Sequence, residues 1–142
     1  MATVTYECCN SYKTDLFKGY HKDTDSYYIA LFDNTANLNK NITSYSGLSG
    51  EITNGNGYIT GGKLLQGLSI SLDNDTAIMD FAIDPVWIGN ITARFALIYN
   101  CTLINKNTLG VIDFGQSYTS VNNEFRLVFP APFENTALFR II

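Results

Sequence analysis

The stretch Ile91–Gly115, ITARFALIYNCTLINKNTLGVIDFG, constrains the fold of this chain more than any other. It reads as two strands joined by a polar loop. In Ala93–Tyr99, Phe95, Leu97 and Tyr99 point one way, and Arg94, Ala96 and Ile98 the other. In Leu109–Phe114, Leu109 and Val111 oppose Gly110, Ile112 and Phe114. Alternation of β-branched and aromatic residues at a period of two is the mark of a strand. Asn100–Asn107, rich in Asn and Thr, suits a surface turn. Nothing in this hairpin is chemically reactive.

The flanking sequence supplies further strands. Ser26–Phe32, SYYIALF, is a nearly continuous apolar run of strand length, expected to be covered on both faces. In KLLQGLSISL, Leu64, Leu68, Ile70 and Leu72 alternate with Gly67, Ser69 and Ser71, the pattern of a strand with one buried face. Asp73-Asn74-Asp75 turns the chain into TAIMDFAI, whose apolar face is Ala77, Met79, Phe81 and Ile83. This is a local hairpin, and Asp84-Pro85 ends it because proline cannot extend a central ladder. Trp87 follows as a core plug. Glu124–Phe129 alternates again before Pro130 and Pro132, and the apolar Ala137–Ile142 reads as a last strand or docked tail.

Ser11–Gly19 is the one helical signal, with Tyr12, Leu16 and Tyr20 at helical spacing, Ser11 as N-cap and Gly19 as stop. Asp33–Gly57 is long for a structureless loop and is expected to hold a short helix or strand. Ile42, Tyr45 and Leu48 suggest one helical turn there. The glycines of Gly57–Gly62 are expected to permit positive φ or a bulge, because no helix follows to make a phosphate loop. Residues 1–10 form an N-terminal arm or short strand, and residues 11–142 a single domain. The fold class is all-β: a single-domain β-sandwich, jelly-roll-like or immunoglobulin-like, with one short N-terminal helix.

With 142 residues, such a domain buries roughly 70% of its unfolded surface and needs no staples. Only 15% of residues are charged against 46% hydrophobic, so Asn, Thr, Ser and Gly must cover much of the surface, as in proteins that work within assemblies. A net charge of −4 with scattered Lys and Arg argues against nucleic-acid binding. No run is long enough to span a bilayer, and MATVTYECCN lacks the features of a signal peptide. Cys8, Cys9 and Cys101 are expected as free thiols. With His21 they lack the spacing of a metal site, and no cofactor is expected.

Chemistry is hard to place. Asp23/Asp25 and Asp73/Asp75 read as turn-formers rather than calcium ligands. The DFG of Asp113–Gly115 stands without the other parts of a kinase. His21 has no nucleophile elbow to serve, and the acids mark no cleft. The Asn-x-Ser/Thr sequons at Asn41, Asn74, Asn90 and Asn100 follow from composition. No catalytic residue is assigned. The nine tyrosines and one tryptophan leave a carbohydrate-binding module as a rival reading, although most lie in strand or helix patterns.

Several motifs in order, YKTDLFKGYH at Tyr12–His21, YYIALFDNTA at Tyr27–Ala36, NGNGYITGG at Asn54–Gly62, DPVW at Asp84–Trp87, TARFALIYN at Thr92–Asn100, VIDFG at Val111–Gly115 and FP at Phe129-Pro130, carry a resemblance. The chain resembles a family of small virion structural proteins of tailed bacteriophages over about Tyr12–Pro130. The resemblance implies a virion component assembled in the host cytoplasm. Its implied role is a head decoration or cement protein, with a tail or fibre part second. Its implied partners are the major capsid protein and copies of itself, as a dimer or trimer, with no nucleic acid and no membrane. The expected interface is the arm (Val4, Tyr6) with the C-terminal apolar residues (Leu138, Phe139). Edge-strand packing within one subunit is the other reading of those four residues.

Overall fold

The computed structural model describes residues 5–142. It is an all-β, sandwich-like single domain with one helix. The elements are β1 (Thr5–Cys8), α1 (Asn10–Phe17), β2 (Tyr27–Phe32), β3 (Lys63–Leu64), β4 (Gln66–Asp73), β5 (Thr76–Ile83), β6 (Val86–Gly89), β7 (Thr92–Asn100), β8 (Thr108–Thr119), β9 (Asn123–Arg126) and β10 (Phe139–Ile141). They form a five-stranded sheet in the order β1-β8-β7-β2-β3, a three-stranded sheet β10-β5-β4, and the pair β6-β9.

The large sheet is built on the β7–β8 hairpin, with β2 antiparallel to β7 and β1 antiparallel to β8. Its two faces follow from the alternation of the strands. Tyr27, on one face of β2, meets Phe81 of β5 edge-on at 5.7 Å between ring centroids. On the same side, Phe139 of β10 crosses Gly110 of β8, where a Cβ would lie 2.9 Å from its ring. Phe114 meets Phe125 of β9 at 6.2 Å, again on this side. The two smaller sheets therefore cover one face. On the other face, Tyr99 is stacked under Tyr45 of the long segment between β2 and β3. This double cover explains why β2 and β7 are apolar almost throughout: Ile29, Ala30, Leu31, Ala96, Leu97 and Ile98 are all fully buried.

That connecting segment, residues 33–62, contains neither the helical turn nor the strand expected of it. It crosses the sheet in turns and isolated bridges, Phe32 to Glu51 and Ser44 to Asn107 among them. Ile42, Tyr45 and Leu48 are partly buried against the core without helical backbone. Long-range hydrogen bonds replace local ones. The Ile52 amide donates to the Leu31 carbonyl, the Asp33 amide to the Gly50 carbonyl and the Thr108 amide to the Thr43 carbonyl. The side of β2 that the two-residue β3 leaves open is closed in this way, with the Tyr58 hydroxyl accepting from the Leu31 amide at 3.0 Å.

Two further expectations are corrected. The N-cap of α1 is Cys9, in extended backbone, and Ser11 lies inside the helix. The stop is as expected: Gly19 has φ 81°, and the Gly19 and Tyr20 amides donate to the Leu16 and Asp15 carbonyls, a Schellman ending. The stripe that α1 buries is Tyr12 with Asp15, whereas Phe17 is 97% exposed. The strand β4 also differs from its pattern. Its hairpin with β5 forms, Asp73 opposite Thr76 and Asn74 at φ 53°, but Ile70 and Leu72 are 55% and 73% exposed. Apolar alternation selects a face, and β4 lies at the sheet edge where that face overhangs the core.

Candidate functional site

The residues expected at an interface fall in different environments. Val4 lies outside the described residues. Tyr6 sits in β1 opposite Ile112, part-exposed, on a cleft of about 490 Å³ shared with Phe114, Phe125 and Phe129. Leu138 is partly buried against the core. Phe139 is 1% exposed, pairs with Met79 and lies 5.4 Å from the Tyr12 ring. Phe139 is thus a core residue of its own subunit and presents no surface. The described part of the N-terminal segment, Thr5–Cys8, is likewise tied into the chain's own sheet through β8.

What the C-terminus does present is Ile141 and Ile142, the latter 96% exposed. Ile141 and Phe17 border a second cleft of about 470 Å³, lined also by Cys8, Tyr12 and Leu16, with Lys13 and Arg140 at its sides. The two clefts flank the two ends of β1, because Tyr6 and Cys8 point to the same side of that strand. Of the residues the sequence suggests, Tyr6 is part-exposed on a cleft and Phe139 is buried, while Phe17, Ile141 and Ile142 are exposed apolar residues it does not single out. The signal for Phe17 was present in its helix: it falls off the Tyr12–Asp15 stripe.

Two polar clusters gather titratable side chains from distant segments. In the first, buried His21 bridges α1 and the sheet. Its Nε2 lies 3.1 Å from Asp15 Oδ2, and its Nδ1 lies 3.3 Å from Asn100 Nδ2. Asn107 Nδ2 donates to the same Asp15 oxygen at 3.0 Å, and Asn100 Nδ2 donates to Asp25 Oδ2 at 2.8 Å. An amide NH2 can only donate, so the neutral ring accepts at Nδ1 and carries its proton at Nε2 toward Asp15. Burial lowers the His21 pKa from its ordinary value; the Asp15 hydrogen bond and the charges of Asp15 and Asp25 oppose that fall. His21 stands at φ 62°, a strained backbone that this network over-determines.

In the second cluster, Glu51 accepts from the Tyr45 hydroxyl at 2.6 Å, the Tyr58 hydroxyl at 2.7 Å and the Gly61 amide at 2.7 Å. The Tyr99 hydroxyl donates to the Gly61 carbonyl at 2.6 Å. Burial, and for Tyr45 and Tyr58 the Glu51 carboxylate, push these phenols well above the ordinary tyrosine range. They act as hydrogen-bond donors and not as bases. Both clusters join distant segments, and neither opens onto the clefts described above.

The other candidate chemistry resolves into structure. Asp25 accepts from the Lys22 amide, and Asp73 from the Glu134 amide. Asp113 accepts from the Gly115 amide and pairs with Arg94 at 3.2 Å. Cys8, Cys9 and Cys101 are free thiols, and burial pushes Cys9 up to about 11. Among the described residues no group of three or more His, Cys, Asp or Glu is placed to hold a metal ion. No helix among them is long and apolar enough to cross a membrane. Trp87, 2% exposed, packs with Phe125 and Tyr58 and is a core residue, as expected.

Comparisons of the chain with protein-family models, with curated proteins and with solved structures give no match.

Proposed function

We propose that this chain is a non-enzymatic structural component of a tailed-phage virion, a decoration or cement protein that binds the assembled head shell and stabilises it. The reading starts from the run of motifs between Tyr12 and Pro130 that resembles the virion proteins. The observation that carries it on the structural side is the apolar surface at one end of the domain. Phe17, Ile141 and Ile142 stand exposed on a scaffold whose titratable clusters tie the chain to itself. Such residues cost solubility on a free monomer and are useful against a partner.

A cement protein works by linkage. It binds the finished lattice and not the free capsid subunit, so each bound copy shifts the shell toward its assembled form. Weak contacts repeated over a symmetric lattice add through multivalency. The partners are the major capsid protein and further copies of this chain, and the surface around Phe17 and Ile142 faces the shell.

The test is reconstitution. Heads prepared without this protein are mixed with the purified chain, and bound copies and the temperature of head disruption are measured. Saturable binding with a raised disruption temperature is the expected result. Saturable binding to tails or fibres with none to heads would assign the second role, and binding to neither would overturn the virion reading.

A further inference from the structure

The free edge of β4 is the feature that neither cluster nor cleft absorbs. In the three-stranded sheet β4 has β5 on one side and, among the described residues, no strand on the other. Edges of this kind are ordinarily blunted by lysine, proline, a short strand or an inward charge. Here eight residues, QGLSISLD, run with no Lys, Arg or Pro, and the single charge is Asp73 at the end. Among the described residues, no backbone group outside the sheet takes the outward amides and carbonyls of Gln66–Leu72.

The sequence of this edge is a palindrome. Leu68-Ser69-Ile70-Ser71-Leu72 reads the same in both directions about Ile70. The geometry points to a second copy of this chain as the occupant: two β4 strands pair antiparallel across a dyad through Ile70. In that register Ile70 faces Ile70 of the other copy, Leu68 faces Leu72, and Ser69 faces Ser71. Asp73 falls opposite Gly67, so no like charges meet. An isologous contact requires this reciprocity, residue i on j and j on i. A generic partner strand would not.

Burial argues the same way. Leu68, Ile70 and Leu72 lie opposite Phe81, Met79 and Ala77 and so share the core face of their sheet. A dyad perpendicular to the sheet places the partner's three apolar residues on that same face. The two three-stranded sheets then become one of six, and the overhanging Ile70 and Leu72 gain the neighbours they lack. Strand addition supplies main-chain hydrogen bonds for affinity, and the matched side chains set the register. This inference deepens the self-association in the proposed function and rests on that reading only there.

The test is sedimentation of the full chain with variants of β4. The wild type should sediment as a dimer. Ile70→Lys, which sets two ammonium groups side by side at a half-exposed position, should sediment as a monomer with unchanged circular dichroism. Residue 70 faces itself at a Cα separation of about 4.5–5.5 Å, within disulfide range. Ile70→Cys should therefore cross-link to a dimer under mild oxidation. Ser69→Cys alone should remain uncross-linked, and Ser69→Cys with Ser71→Cys should cross-link. A monomeric wild type at high micromolar concentration would overturn the inference, as would a dimer indifferent to Ile70→Lys. Cross-linking at residue 69 alone would overturn the register, and capture of an unrelated extended peptide by a monomer would give the edge to another partner. Virion labelling reports on the shell reading separately, so the two can fail independently.

Discussion

The Tyr45 ring lies flat on the Tyr99 ring, centroids 4.3 Å apart and planes 8° from parallel. Tyr99 belongs to the central strand β7 and Tyr45 to the irregular segment over it, so this stack and the neighbouring Glu51 hydrogen bonds hold the cover on the face of the large sheet that the two smaller sheets leave open. Truncating Glu51 leaves two phenols and an amide without their acceptor. Glu51→Ala should destabilise the fold by about 2–3 kcal/mol, and Glu51→Gln by about 1 kcal/mol. Urea unfolding measures both. Equal losses for the two would show that the carboxylate's hydrogen bonds do not hold this layer.

Two glycines at positive φ separate conformation from close approach. A Cβ on Gly62 would lie 1.9 Å from the Ile29 carbonyl oxygen, at φ 88°. A Cβ on Gly19, at φ 81°, meets nothing within 4 Å. Gly19→Ala should cost about 1–2 kcal/mol, the left-handed penalty alone. Gly62→Ala should cost upwards of about 4 kcal/mol, because backbone and not a flexible side chain must move. Thermal melts of the pair read the difference.

The apolar tail divides at one residue. Phe139→Ala opens a cavity between Tyr12, Met79 and Gly110 and should cost about 3–5 kcal/mol. Ile142→Ser and Phe17→Ser should change stability by less than about 0.5 kcal/mol. The surface pair should instead weaken binding to heads. A stable double variant that binds heads as well as the wild type would remove these residues from the contact.

Protonation of His21 gives a pH signature. Its folded pKa lies below the unfolded value of 6.5 because burial disfavours the imidazolium. Its contribution is therefore fully present above pH 6.5 and is lost as pH falls through the lower folded value. Unfolding free energy should decline from pH 6.5 downward before the carboxylates titrate, and His21→Gln should flatten that decline. A stability that rises on acidification over the same window would mean that Asp15 and Asp25 outweigh burial.

The sequence carried the sheet more fully than its cover. The alternation of β7 and β8, the buried run of β2, the β4–β5 turn and the core position of Trp87 were all legible, because strand periodicity is a local signal. Residues 33–62 were not, since their hydrogen bonds go to distant strands and no local period records that. Ile70 and Leu72 read as buried because alternation names a face without saying whether anything covers it. The Asp15–His21–Asn100–Asn107 cluster was hidden for the same reason: the α1–β2 connection and both ends of the β7–β8 hairpin meet only after the sheet forms. For Phe139 the sequence leaves an interface and packing within one subunit both open, and its pairing with Met79 puts it inside.

The proposed function makes this chain part of a phage head. Gold-labelled antibody against the chain, applied to intact virus particles purified from its source, tests that claim most directly. Label distributed over the head is the predicted result. Particles that carry no label, intact or disrupted, while infected cells hold abundant protein, would contradict it.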